Sequence, residues 1–147
     1  MGIKRSQRML TVLQLAVRTE EGAASQLEQS RRQLEQARQQ LQQVEEYQQG
    51  YIQSLNQPKS GQSAYSMIND RRFLEQLSFV CQTQAGQIEQ LRQNEDQCLQ
   101  NWQTCYQRRR NIEQLIEKLK QDESQLVEKQ LQKEMDELSS LFLARSR

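Results

Sequence analysis

The sequence predicts an all-α protein, a long antiparallel two-helix coiled coil that folds back once as a helical hairpin and ends in a C-terminal helical overhang. The 147 residues include 30 glutamines, one proline and five glycines, a composition unlike that of turn-rich β proteins. Only 35% of the residues are hydrophobic and 5% aromatic, which is too little for a large globular core. Regular leucines and a net charge of +1 favour helix over disorder.

The first helix is expected over about residues 4 to 55. Leucines recur along one helical stripe at Leu13, Leu27, Leu34, Leu41 and Leu55. The neighbouring positions of the predicted stripe are Leu10, Val17, Ala24, Ala37, Val44 and Tyr51. Such spacing is typical of an amphipathic helix with one packed face.

A hinge is predicted at residues 56–63, where Pro58 and Gly61 stand among small polar residues. A second helix is expected from about 66 to 143. A 4-3 repeat fits residues 77 to 126, with eleven apolar positions: Leu77, Cys81, Ile88, Leu91, Cys98, Trp102, Cys105, Ile112, Ile116, Leu119 and Leu126. Its polar positions are Gln84, Glu95, Arg109 and Glu123. A repeat sustained this long indicates a coiled coil.

Folding at the hinge would pair residues whose numbers total about 120, such as Leu34 with residue 86. The second helix would then project beyond the first from about Lys120, and the whole chain, residues 1–147, would form one hairpin. Beyond Leu126 the apolar stripe shifts to Leu131, Met135, Leu138 and Phe142. We expect this overhang to bind a partner, because its apolar stripe has no second helix to cover it.

The composition excludes most familiar catalytic and metal sites. The chain has no histidine, so it lacks a Ser-His-Asp triad, a Cys-His pair and an imidazole ligand. Cys81, Cys98 and Cys105 have no CxxC spacing and are expected to be reduced seam residues. The sequence therefore predicts a protein without enzymatic activity, cofactor or metal.

Membrane and nucleic-acid functions are also disfavoured. No apolar run approaches the roughly 18 residues of a membrane span, so no direct membrane insertion is expected. Arg108, Arg109 and Arg110 form a basic run, but the net charge is only +1 and acidic residues follow from Glu113 onward. Solvation or salt bridges explain the run better than nucleic-acid binding, and Trp102 is expected to pack in the seam.

Four large side chains flank the hinge at i, i+4 spacing. They are Tyr47 and Tyr51 before it, and Phe73 and Leu77 after it. A two-helix seam offers little room to bury four such side chains, so they could form a protein-docking patch at the hairpin tip. They could equally pack against one another and close the hairpin, and the two interpretations are compatible.

Two sequence blocks resemble the flagellar type III export FliJ family: Val44-Glu45-Glu46-Tyr47-Gln48-Gln49-Gly50-Tyr51 and Asn69-Asp70-Arg71-Arg72-Phe73-Leu74-Glu75-Gln76-Leu77. The resemblance implies an antiparallel two-helix rod, similar to the stalk of rotary ATPases, that sits in the hexameric export ATPase and promotes its assembly and hydrolysis. It also implies a link to the cytoplasmic domain of the membrane export gate, handling of export chaperones, and a cytoplasmic location at the inner-membrane face of the flagellar base.

The resemblance also implies two binding regions. The tip that contacts the gate corresponds to Gln40, Val44, Tyr47, Tyr51, Phe73, Leu77, Val80 and Gln84. The end that enters the ATPase ring corresponds to Lys4, Arg5, Arg8, Leu131, Met135, Leu138 and Phe142.

Two alternatives remain open. One is a generic coiled-coil scaffold or adaptor, which would be a stable dimer, whereas a hairpin stalk should be monomeric when free. The other is the equivalent stalk protein of an injectisome-type secretion system, which the sequence does not distinguish from the flagellar one.

Overall fold

The computed structural model describes residues 2–57, 61 and 63–146. It contains two long helices that pack against each other as a helical hairpin: α1, Arg5–Leu55, and α2, Ala64–Arg145. The predicted fold class is confirmed. Of the predicted hinge, Pro58, Lys59, Ser60 and Gln62 lie outside the described residues.

The described part of the connection between the helices includes a residue with left-handed backbone geometry. Gly61 has a φ of 91°, a region that glycine adopts without the steric cost a Cβ would add. Ser63 then caps α2, because its hydroxyl accepts a hydrogen bond from the backbone N–H of Ser66 at 3.2 Å. This cap lets α2 begin at Ala64, where the sequence analysis expected about 66.

The chain divides into two compact units. Unit 1 comprises Met1–Gly22 and Gln103–Arg147, and unit 2 comprises Ala23–Trp102. Each unit therefore contains a segment of α1 and a segment of α2.

In unit 1, the shielded α1 positions are Ser6, Met9, Leu13, Ala16, Val17 and Glu20. Apart from Val17 they follow a regular 3-4 spacing, which is the geometry of a coiled-coil seam. Leu10 was predicted to lie on this stripe but is 42% exposed. The prediction was wrong by one residue, because it followed the leucine although the packed position is the neighbouring Met9.

In unit 2, the same 3-4 spacing runs through Ala23, Leu27, Ser30, Leu34, Ala37, Leu41, Val44, Gln48, Tyr51 and Leu55. Ala24 had been assigned to the stripe and is exposed, while Ala23 is buried. Ser30 is buried among apolar neighbours, and its hydroxyl donates to the carbonyl of Leu27 at 2.7 Å. That bond satisfies the polar group, which explains how serine occupies a packed position.

The 4-3 repeat predicted for α2 matches the shielded positions from Leu77 to Glu123, including all four polar ones. Leu126 is the exception, being 67% exposed. The seam ends at Glu123 because this residue already lies opposite Ser6, at the beginning of α1. The overhang therefore begins at residue 124, not near Lys120.

Away from the hinge, the residue numbers of opposing positions on α1 and α2 do not add up to the predicted total of about 120. Near it, Tyr47 contacts Phe73, but Gln48 contacts Cys81, and these pairs total 120 and 129. Over this stretch the shielded positions of α2, which are 66, 70, 73, 77, 81 and 84, include two successive steps of four. Such a stutter locally changes the winding of a coiled coil. In unit 1 the total is also 129, as in the Glu20–Arg109 pair.

Candidate partner-binding surfaces

The aromatic cluster of unit 2 is held together by ring contacts across the seam. The Tyr51 and Phe73 rings are 4.9 Å apart between centroids at 65°, and the Tyr47 and Phe73 rings are 6.3 Å apart at 81°. These are edge-to-face arrangements, which favour aromatic pairs beyond the area that they bury. The predicted proximity of the residues flanking the hinge is therefore observed.

A hydrogen bond fixes Tyr51 in this cluster. Its hydroxyl donates to Oδ1 of Asp70 at 2.6 Å. This bond, together with partial burial and the negative charge of Asp70, raises the pKa of Tyr51. Tyr51 thus stays a neutral donor that ties the end of α1 to the beginning of α2.

The cluster separates into shielded and exposed members. Tyr51, Phe73 and Leu77 are half-buried, whereas Tyr47 is 59% exposed. The first three therefore close the hairpin by packing on one another. Tyr47 presents much of its ring to solvent and could contact another protein.

The remaining residues assigned to the tip differ in accessibility. Gln40 is exposed, Val44 is half-buried, and Val80 is 39% exposed. Gln84 is half-buried, and its Oε1 is buried without a hydrogen-bond partner among the described residues. Val80 and Tyr47 are thus the most accessible large side chains of the assigned set.

A second exposed apolar surface in unit 2 was missed by the sequence analysis. It lies on α2 and comprises Tyr65, 75% exposed, Ile68, 54% exposed, and Phe79, 70% exposed. Their spacing places them on one helical face, away from the seam positions. Phe79 also lines a shallow groove with Arg72, Glu75, Gln76 and Val80. Large apolar residues outside the seam positions of a regular heptad repeat are the sequence signal that could have revealed this surface.

In unit 1, the residues assigned to the ring-binding end are accessible. Lys4, Arg5 and Arg8 are exposed at the beginning of α1. The overhang residues are also exposed: Leu131 by 54%, Met135 by 67%, Leu138 by 65% and Phe142 by 74%. The structure places both groups in unit 1.

The overhang carries more exposed apolar surface than the sequence analysis assigned to it. Val127 is 50% exposed and Leu141 is 62% exposed. With the four predicted residues, they extend a stripe of apolar side chains along one side of the helix. Every described residue from 124 to 146 is exposed. Val127 borders a groove with Gln7 and Leu10 of α1, whereas the stripe from Leu131 to Phe142 has no partner among the described residues.

Arg109, from the basic run Arg108 to Arg110, turns into the seam of unit 1. Its guanidinium pairs with Glu20 of α1 and with Glu113 of its own helix, and it lies 5.1 Å from the centroid of the Tyr106 ring. These two carboxylates, Glu20 first, raise the pKa of the already basic Arg109. Arg108 and Arg110 are exposed. The middle arginine therefore belongs to a salt bridge, as the sequence analysis favoured.

The described residues offer little that could support chemistry. Among them, no three or more cysteine, aspartate or glutamate side chains group so that they could hold a metal ion. The cysteines Cys81, Cys98 and Cys105 are free and half-buried. Within residues 2–57, 61 and 63–146, no helix has an apolar stretch long enough to cross a bilayer.

The comparison with family models decides the assignment. The model described as "Flagellar FliJ protein" matches residues 5–147. The chain belongs to the flagellar FliJ family. No curated protein and no solved structure matches the chain significantly.

Membership in the FliJ family identifies the chain as a component of the flagellar export apparatus and of type III secretion. The FliJ family is a non-enzymatic part of that apparatus. The match covers both helices, including the tip blocks and the overhang.

Proposed function

We propose that the chain is a stalk-like coupling protein of flagellar export, acting at the cytoplasmic face of the inner membrane. In this proposal it binds the hexameric export ATPase, promotes the assembly and activity of that enzyme, and connects it to the membrane export gate and to export chaperones. The observation that carries the proposal is the overhang, a 22-residue helical segment whose apolar stripe from Leu131 to Phe142 has no partner among the described residues. At 1.5 Å per residue it is about 33 Å long, enough to reach into a protein ring.

The ring contact is assigned to the accessible residues of unit 1. The apolar members are Leu131, Met135, Leu138 and Phe142, which would supply buried contact area. The exposed cations Lys4, Arg5 and Arg8 would add charge contacts that weaken as ionic strength rises.

The gate contact is assigned to the tip of unit 2. Tyr47 and Val80 would be the direct anchors, because they are the accessible apolar members of the set. Tyr51, Phe73 and Leu77 would hold the surface in shape, and Gln40, Val44 and Gln84 complete the proposed contact set. Aromatic residues are common binding hot spots, since they bury large area with few rotatable bonds.

The free protein is proposed to be monomeric. Its seam already pairs α1 with α2 in each unit, so helix packing does not require a second copy. Sedimentation equilibrium should give the mass of one chain, whereas the alternative dimeric scaffold would give twice that mass.

Removal of residues 124–147 tests the ring proposal. The deletion should abolish stimulation of the export ATPase, and the hairpin should keep its melting temperature because every described residue that it removes is exposed. The control variant Phe79→Ala removes an apolar side chain of unit 2 that is 70% exposed, close to the 74% of Phe142 in the overhang. This variant should stimulate the export ATPase normally. Full stimulation by the truncated protein would contradict the proposal.

The gate proposal needs a separate measurement. Tyr47→Ala should weaken binding to the cytoplasmic domain of the export gate by about 2 kcal/mol, a usual value for one anchor residue. Tyr65→Ala, which removes an exposed aromatic ring outside the assigned set, is the control. Equal losses for both variants would show that binding does not depend on the tip set.

A further inference from the structure

The α1 segment of unit 1 has positively charged and exposed apolar side chains on the side that faces away from its seam with α2. Residues 2–19 contain the cations Lys4, Arg5, Arg8 and Arg18 and no acidic residue. Their seam face, at Ser6, Met9 and Leu13, packs toward α2. The cations are all exposed, so their charge is available to a partner.

Aliphatic side chains lie among these cations on the same side of the helix. Leu15 is 67% exposed and Val12 is 43% exposed. With Arg8 and Arg18 they follow spacings of four, three and three residues, which places all four on one helical face. We define this set of Arg8, Val12, Leu15 and Arg18 as the outward face.

Nearby acidic groups leave most of this positive charge uncompensated. Glu20 is engaged by Arg109 across the seam. Glu123 accepts two hydrogen bonds from Ser6, and Lys4 contributes to lowering its pKa. Glu21 is the first exposed acid that follows on α1. Among the described residues, Lys4, Arg5, Arg8 and Arg18 form no ion pair with a carboxylate.

We infer that the outward face binds the surface of an anionic phospholipid bilayer. Cations next to exposed aliphatic side chains are the pattern of helices that lie in the membrane interface, where arginine stems stay near apolar groups while guanidinium groups reach phosphates. Each such cation near an anionic surface contributes on the order of a fivefold gain in affinity. The contact is interfacial, so it requires no membrane-spanning helix.

Other partner classes fit this face less well. Protein interfaces are enriched in aromatic anchors, whereas the outward face has an arginine at each end and no aromatic residue. Single-stranded nucleic acid is bound with aromatic stacking platforms, which this segment also lacks. A lipid surface uses both the phosphate-binding cations and the aliphatic side chains.

Vesicle co-sedimentation of the full-length protein tests the inference. One set of vesicles contains phosphatidylcholine alone, and the other contains phosphatidylcholine with about a third phosphatidylglycerol. Binding is expected only to the second set, and it should weaken strongly between low ionic strength and about 0.5 M salt because the charges are screened. Binding to neither set, or equally to both, would overturn the inference.

Two variants outside the proposed ring-contact residues locate the interaction. Arg18→Glu should reduce binding to the anionic vesicles by at least about tenfold, since it removes a cation and adds an anion. Leu15→Ala should reduce it by several-fold through lost apolar contact.

The controls are matched in chemistry and placed in unit 2. Arg71→Glu makes the same charge change at an exposed position, and Phe79→Ala removes an apolar side chain that is 70% exposed. Both should bind vesicles as the unchanged protein does. Circular dichroism should show equal helicity for all four variants, because the substituted side chains are exposed to solvent. A loss of binding by the controls as large as that of Arg18→Glu would overturn the assignment to the outward face.

Discussion

Ser6 and Glu123 join the first turn of α1 to the last seam position of α2. The Ser6 hydroxyl donates to Oε2 of Glu123 at 2.7 Å, and the Ser6 backbone N–H donates to Oε1 at 3.2 Å. The N–H groups in the first turn of a helix have no intrahelical acceptor, and a carboxylate there also interacts favourably with the helix dipole. Glu123 therefore caps a helix from which it is 117 residues distant in sequence.

This cap predicts a dependence of stability on pH. The hydrogen bonds from Ser6 lower the pKa of Glu123 below its ordinary value of 4.5. A lowered pKa in the folded state stabilises the fold above the ordinary value, and this contribution is lost as pH falls through the lowered one. Thermal unfolding from pH 7 to 3, followed by circular dichroism, should show a smaller loss on acidification for Glu123→Gln than for the unchanged protein.

The control for this measurement is Glu128→Gln, which neutralises an exposed carboxylate in the overhang. It should leave the acid dependence unchanged. Identical acid profiles for the Glu123 variant and the unchanged protein would show that the cap contributes nothing in solution.

The register of the seam can be tested with the native Cys98. Counting equal heptad steps from the Gln48–Cys81 contact places Ser30 opposite Cys98. Ser30→Cys, with Cys81 and Cys105 replaced by serine, should form an intrachain disulfide under mild oxidation in dilute solution, because opposed seam positions bring Cα atoms within bonding range. Non-reducing electrophoresis and peptide mass mapping would identify the bond.

A second cysteine pair distinguishes this register from the one the sequence predicted. Leu34→Cys with Gln87→Cys, in a chain lacking the native cysteines, corresponds to a total near 120. This pair should remain unlinked under the same conditions. Efficient crosslinking of the cysteine pair at positions 34 and 87, without crosslinking of residue 30 to Cys98, would refute the register with a total near 129.

Leucines of the seam and of the overhang should differ sharply in their effect on stability. Leu34 is 3% exposed, so Leu34→Ala should cost about 2 to 3 kcal/mol of unfolding free energy. Leu131 is 54% exposed, so Leu131→Ala should change it by less than about 0.5 kcal/mol. Urea unfolding monitored by circular dichroism measures both. A large loss from Leu131→Ala would mean that the overhang packs within the molecule or against a second copy.

Removing one member of the Glu20–Arg109 ion pair should destabilise the fold, whereas replacing both members by apolar residues should not. Side-chain exposures are 15% for Glu20 and 21% for Arg109. Arg109→Leu alone should lower the melting temperature, because it leaves Glu20 in the seam without its guanidinium. Glu20→Leu with Arg109→Leu should recover or exceed the original melting temperature, since apolar replacements of shielded ion pairs are often stabilising.

A double-mutant cycle completes that test. The coupling between the two positions should be clearly nonzero, whereas Arg32 and Glu28, an exposed i, i+4 pair, should couple only weakly. Equal coupling in both pairs would indicate that solvent screens the seam pair as fully as the surface pair.

Several features of the molecule follow from the pattern of residues alone. The scarcity of proline and glycine and the sustained 4-3 repeat of α2 are local properties, and they suffice for two long helices and for the seam from Leu77 to Glu123. The tip blocks were also recognisable, because Tyr47, Tyr51, Phe73 and Leu77 lie at fixed spacing on either side of a single break.

The stripe of α1 was harder to predict because its packed positions include small and polar residues. Ala16, Ala23 and Ser30 are each at most 6% exposed, although none is strongly hydrophobic. Their burial depends on the close approach of α2, and a stripe drawn through the leucines passes through Leu10 instead of the packed Met9.

The pairing between the helices depends on contacts between residues far apart in sequence. The Gln48–Cys81 and Ser6–Glu123 contacts both total 129, so the limit of the overhang depends on where Glu123 meets Ser6. The roles within the aromatic cluster have the same origin: Tyr51 is held by Asp70 while Tyr47 remains exposed, although the two tyrosines lie one turn apart on one helix. Helix periodicity places side chains on a face, but the neighbour across the seam determines which of them are buried.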